Sequence, residues 1–249
     1  MTRRVPLVTV LVFVLVLAGC MGVGGGGTTP TPEPPLRATA TPATLAPATL
    51  DATGYATHRA DSPPLHTTVT ARIEGDVTLQ TTREVRATTA RRVYVRSTPD
   101  GPAVVGLRSV PSVKPFENAD LRKDPAAGLS LADRLARAQS VYAAVRVRST
   151  TGERSATLLG TEATLTRHRG TTRVNGTDRS VSAALVTVAH GGDYVTMAVV
   201  VPRGVEASLP RLLGGCATRR GRRESFSRRP WARRRRRRPR SSHGPVGCC

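Results

Sequence analysis

Between Thr67 and Arg86 the chain alternates apolar and polar residues in two successive runs, and this period of two constrains its fold more than any other feature. Val69, Ala71 and Ile73 share one face of an extended segment from Thr67 to Glu74. After the turn pair Gly75-Asp76, a second segment runs from Val77 to Arg86. Such alternation around a tight turn predicts a β-hairpin. Arg92 to Ser97 repeats the pattern, and Pro99-Asp100-Gly101 joins it to a strand from Ala103 to Ser109, so that four antiparallel strands are expected. Further strands are expected at Ala156 to Leu159, Ala163 to Arg169, Val181 to His190 and Tyr194 to Val201, with turns at Asn175-Gly176 and His190-Gly191-Gly192-Asp193. The last pair is the most apolar and is placed at the centre of the sheet.

Helical spacing is clearest from Leu131 to Val145. Ser130 fits an N-cap with Asp133 three residues on, and Leu131, Leu135, Ala138, Tyr142 and Val145 form an apolar stripe that would pack on a sheet. Short helices are expected at Ala46 to Thr53, stopped by Gly54, and at Val205 to Leu213, where Pro210 weakens the interior. The fold class is therefore read as α+β: a largely antiparallel sheet packed against one main helix, with short flanking helices.

The N-terminus carries an address. Arg3-Arg4 precede an apolar run from Val5 to Ala18, and Leu17-Ala18-Gly19-Cys20 form a lipobox. About 14 apolar residues fall short of the roughly 20 that span a bilayer as a helix, which favours a lipoprotein signal peptide over residues 1–20 rather than an uncleaved anchor. Cys20 is the expected lipidation site. The paired arginines also loosely fit a twin-arginine export signal. Residues 21–35, rich in Gly, Thr and Pro, read as a tether, and residues 36–215 as a single domain.

The net charge of +21 is unevenly spread. Residues 216–249 hold 13 arginines against one glutamate, including the block Arg233 to Arg238, with too few apolar side chains to form a core. The tail is expected to be disordered. It could bind anionic surfaces through Coulomb attraction or serve as a solvated charge run. The favoured reading is an out-of-frame translation of GC-rich DNA, because composition breaks abruptly after Leu213-Gly214-Gly215. Cys216, Cys248 and Cys249 fall in that tail, so residues 21–215 have no disulfide framework and no thiolate metal site.

Four elements, the lipobox, Ala48 to Tyr55, Pro111 to Val145, and Val186 to Val195 followed by Val201-Pro202, together resemble a family of lipoproteins of halophilic archaea described as a domain of unknown function. The resemblance covers roughly residues 1–215. It implies no activity and no catalytic residues. One departure is charge: halophile surfaces are usually acidic, whereas residues 1–215 hold 25 basic and 16 acidic side chains.

No reaction motif stands out. His58, His66, His168 and His190 lack paired metal spacing, and a turn position accounts for His190 and Asp193 better than a metal or catalytic role. No catalytic, cofactor-binding or metal residues are assigned and no cofactor is expected. Asn175-Gly176-Thr177 matches a glycosylation sequon, making Asn175 a candidate for modification. The expected protein is lipid-anchored on the outer face of the cell membrane, a non-catalytic binding or structural module with a solute or protein partner. The alternative is an extracytoplasmic enzyme of unidentified type. A lipid-anchored outer-surface protein meets little nucleic acid, so nucleic acid is not an expected partner.

Overall fold

The computed structural model describes residues 33–174 and 176–218. Cys20, Asn175 and the arginine block Arg233 to Arg238 lie outside the described residues, as does the apolar run Val5 to Ala18. Among the described residues no helix is long and apolar enough to cross a membrane.

Strands make up 57% and helices 12% of the structure, arranged as a multi-sheet, sandwich-like β fold. This corrects the α+β expectation: among the described residues there is no dominant helix, only three short ones. The principal sheet has seven antiparallel strands in the order β3-β6-β7-β11-β10-β9-β8. They are β3 (Ala56–Asp61), β6 (Ala90–Arg96), β7 (Ala103–Pro111), β8 (Val145–Leu158), β9 (Thr161–Val174), β10 (Thr177–His190) and β11 (Asp193–Pro202). A second sheet sets β5 (Leu79–Thr88) between β4 (Pro64–Ile73), antiparallel to it, and β1 (Leu36–Thr39), parallel to it. A two-stranded ribbon joins β2 (Ala43–Leu45) to β12 (Cys216–Thr218).

Local chemistry explains much of this. Gly191 and Gly192 both have positive φ, 63° and 95°, and close a two-residue hairpin in which His190 faces Asp193. Gly176, with φ 78°, helps turn β9 into β10 in the same manner. The other expected tight turn opens wider: Ile73 pairs with Leu79, leaving five residues around Gly75-Asp76, and Val77 is exposed rather than part of the strand. The hairpin β4-β5 exists, but it belongs to a different sheet from β6 and β7, so the four expected strands do not form one unit.

The main helix is also shorter than expected. Helix α2 (Leu131–Gln139) starts as read, with the Ser130 hydroxyl accepting from the Asp133 amide at 3.1 Å, but it stops at Ser140, which adopts φ 55°. The buried Gln139 carboxamide explains the stop: its oxygen accepts from the amides of Val141 (2.6 Å) and Tyr142 (2.8 Å), and its nitrogen donates to the Tyr142 carbonyl (2.8 Å). Those groups are thus satisfied in a turn rather than in a continuing helix. Tyr142 and Val145 still join Leu135 and Ala138 in one cluster, approaching it from a turn and a strand. The phenol of Tyr142 donates to the Pro102 carbonyl, and burial pushes its pKa up to about 12.

Both faces of the central strands are covered. Val104, Ala198 and Val200 face α2, while Val105, Leu107, Val199 and Val201 face the layer built from α1 (Pro47–Thr53), α3 (Leu209–Gly214), β2 and β12. Pro47 and Pro210 each sit in a first helical turn, where a missing amide costs nothing. The phenol of Tyr94 accepts from the Leu45 amide at 3.0 Å and fixes β2 above the sheet. Order extends past both expected domain limits. Glu33, placed in the tether, pairs with buried Arg83 at 2.5 Å, and Cys216–Thr218, placed in the tail, form β12.

Candidate functional site: a basic cleft beside α3

The outer strands β8 and β9 run on beyond the layer that covers the centre of the sheet. Alternation along β9 puts Ala163 and Leu165 in the same cluster as α3, and therefore puts Arg167 and Arg169 on that same face. Register carries the assignment across the sheet: Arg167 stands opposite Ala184, Arg169 opposite Ser182, and Arg154 of β8 opposite Leu165. Two register shifts in β8, between Val147 and Ser149 and between Thr150 and Gly152, bend this edge strand.

A cleft of about 430 Å3 lies between this basic shelf and the chain leading into α3. Its floor is apolar, with Ala184, Val199 and Val201 buried, and its roof runs from Val205 to Pro210. Glu206 is the one carboxylate among the lining residues. The three arginines are exposed, and none forms an ion pair among the described residues. Guanidiniums of like charge on neighbouring positions repel each other, so an anion that enters the cleft gains attraction and relieves that repulsion.

The roof is held by a fourth arginine. Gly204 (φ 90°) and Ser208 (φ 48°) turn the chain back over the sheet after β11. Arg96 donates to the Glu206 carbonyl at 2.7 Å and to the Thr53 carbonyl at 3.4 Å, and its guanidinium lies 5.2 Å from the centre of the Tyr55 ring. Burial raises the Tyr55 pKa, with Arg96 acting against it. Arg96 thereby positions the roof and is not among the residues that line the cleft.

Of the residues singled out from sequence, His168 is among those lining the cleft and the others lie elsewhere. His190 and Asp193 pair across the hairpin but are engaged separately: the Asp193 carboxylate accepts from the Thr41 amide at 2.7 Å, and His190 Nε2 lies 3.3 Å from the Thr218 hydroxyl. Burial raises the Asp193 pKa. Both side chains tie the terminal segments to the sheet. His168 is buried on the α2 side, 3.2 Å from the Thr150 hydroxyl, and desolvation lowers its pKa. His58 and His66 are exposed on β3 and β4. Among the described residues no three His, Cys, Asp or Glu side chains gather as a metal site. The Cys216 thiol is pushed up to about 12 by burial, which leaves it protonated and inert at neutral pH. Nothing in the sequence distinguished Arg154, Arg167 and Arg169 from the other arginines; only strand register unites them.

A family model described as a domain of unknown function (DUF6517) matches residues 42–228. The match spans the whole principal sheet, the three described helices and the beginning of the arginine-rich segment. Comparison with curated proteins and with solved structures gives no match.

Proposed function

This chain belongs to the family described as a domain of unknown function (DUF6517), and from the site itself we propose that it is a lipid-anchored surface module that binds an amphipathic anion in the cleft beside α3. One observation carries the reading: three arginines on a single sheet face, without an ion pair among the described residues, border a floor of buried Ala and Val. Guanidinium is suited to carboxylate, sulfonate or phosphate groups, while the floor would hold an apolar body. The lipobox supports the anchor at Cys20, and metabolic lipid labelling lost in Cys20→Ser tests that part. Binding is preferred to catalysis because neither Ser182 nor Ser208 hydrogen-bonds to a histidine or carboxylate among the described residues, so the lining offers no activated nucleophile.

Calorimetric titration of the full chain with 2-naphthalenesulfonate and with the neutral 2-naphthol separates charge from ring. The sulfonate is expected to bind roughly tenfold or more tightly than the naphthol, a factor of ten being about 1.4 kcal/mol. Arg167→Gln combined with Arg169→Gln should bring the two ligands together. The double variant retains the basic tail, so undiminished sulfonate binding would assign the affinity to the tail and overturn the proposal.

A further inference from the structure

Among the described residues the exposed large apolar side chains are Val77 and Leu79, 72% and 53% accessible, and both lie at the tip of the β4-β5 hairpin. A single exposed valine or leucine carries no meaning, but two beside one loop have a structural origin. Alternation along β5 puts Leu79 on the face of Val85 and Ala87, and its partner Ile73 on β4 shares the face of Leu65 and Val69. Near the base of the hairpin that face is covered by Val110, Val113 and Ala126. Toward the loop the cover ends, and neither Ile73 nor Leu79 belongs to the cluster.

The path of the chain before β1 gives this tip a direction. β1 runs parallel to β5, with Leu36 opposite Val85 and Thr39 opposite Thr88. Followed backwards, the chain continues toward the start of β5: buried Arg83 donates to the Glu33 carboxylate at 2.5 Å and to the Pro34 carbonyl at 3.0 Å. Four residues separate Arg83 from Leu79, about 13 Å of strand, so the chain enters at Glu33 from the side of the tip. From Cys20 to Glu33 it can span at most about 45 Å. A lipid at Cys20 therefore keeps the loop within reach of the bilayer surface, where a contact too weak to act alone is occupied through the tether.

Charge at the tip sets the kind of surface. The loop carries two carboxylates, Glu74 and Asp76, against Arg72, which pairs with Glu74 at 3.3 Å. An anionic surface would not attract it. We propose that the β4-β5 tip is a second membrane contact, with Val77 and Leu79 seated at the headgroup and acyl-chain boundary of a zwitterionic bilayer and Arg72, Glu74 and Asp76 held at headgroup level. The proposal rests on the lipid anchor at Cys20 and is independent of the anion cleft.

Tryptophan fluorescence of the full chain in phosphatidylcholine vesicles tests it, since neutral lipid removes any attraction of the basic tail. In a Trp231→Phe background, Val77→Trp should shift its emission to shorter wavelength on vesicles and lose at least half of it when the lipid carries bromine near the top of its acyl chains. His66→Trp, toward the far end of β4 and about 23 Å from Ile73, should be barely quenched. Adding Leu79→Ser to Val77→Trp should reduce the quenching at least twofold. Equal quenching in the Val77→Trp and His66→Trp variants, or no effect of Leu79→Ser, overturns the proposal. So does a blue shift in Val77→Trp that bromine leaves unquenched, which would assign the tip to a second copy of this chain. Metabolic lipid labelling of the same preparations keeps the two readings apart. Labelled protein whose Val77→Trp is unquenched refutes the tip contact and leaves the anchor. Unlabelled protein whose Val77→Trp is quenched refutes the anchor and supports the tip contact, and unlabelled, unquenched protein overturns both.

Discussion

Strands β7 and β8 belong to one sheet, yet all nine residues of β7 are buried while β8 is buried only at Val145 and Leu158, its two ends. The difference lies in what covers them. β7 is flanked by β6 and β11 and overlain by α2 on one face and the α1/α3 layer on the other, so its sequence is nearly continuous in apolar residues. β8 is an edge strand extending past that cover, and its positions are free to carry arginine. The centre of the sheet is committed to packing; the margin is where charge and a cleft can accumulate. Bulges and arginines on β8 also guard an open edge against pairing with another chain.

The sharpest test of that contrast is a methyl group at the centre against a lost charge at the margin. A Cβ on Gly106 would lie 2.3 Å from the Ala138 carbonyl oxygen, where the end of α2 rests directly on β7. Backbone on both sides prevents relief by a rotamer change. Gly106→Ala should therefore destabilise the fold by about 3 kcal/mol or more, or prevent folding. Arg154→Ala, on the exposed shelf, should stay within about 0.5 kcal/mol. Urea unfolding of the two variants decides; comparable midpoints would mean that the centre is not packed as described.

The same contrast explains what could be read from the sequence. Strands β10 and β11 were legible because apolar runs flank Gly191-Gly192, the end of α1 was legible from Gly54, and the start of α2 from Ser130. The end of α2 was not, since Tyr142 and Val145 continue a helical stripe while the decisive residue, Gln139, looks like any polar helix position. Val145-Arg146-Val147-Arg148 alternates too briefly to mark a strand beside the helical stripe, and the next part of β8, Ser149 to Ser155, has no alternation because neither face there is buried. Division into three sheets depends on which strands pair, a choice no local segment encodes. The cleft was invisible for a related reason: its arginines come from two strands and meet only through register.

A second prediction concerns the covering layer. The Ala46 amide donates to the Gly215 carbonyl at 2.8 Å, β12 pairs with β2, and partly buried Cys216 packs against the central cluster. Ending the chain after Gly215 removes β12 and should cost roughly 1–2 kcal/mol, given that each net hydrogen bond contributes about 1 kcal/mol. Ending it after Thr218 should leave the melting temperature unchanged. Equal melting temperatures for the two truncations would restore the earlier boundary at Gly215 and show that the ribbon adds nothing to the cover over β11.

The smallest effect expected is a difference in sign between an edge and a central carboxylate under acid. On edge strand β3, the hydrogen bond from Arg91 holds the Asp61 carboxyl below its ordinary range. Its contribution is present above the unfolded value of about 3.9 and is lost as pH falls from there through the lowered folded value. About a third of that side chain is exposed, so solvent screening keeps the contribution small. On β11, burial raises Asp193, so its ionised form weakens the fold at neutral pH; stability is regained as pH falls through the raised folded value toward about 3.9. Asp61→Asn should therefore make the protein lose less stability between pH 7 and pH 3, and Asp193→Asn should make it lose more. Asparagine can still accept from the Thr41 amide, so the second variant keeps that contact while removing the titration. Melting temperatures across this range should move in opposite directions relative to the parent chain. Movement in the same direction would mean that the central carboxylate is as well solvated as the edge one, and that the cover over β11 is looser than its packing implies.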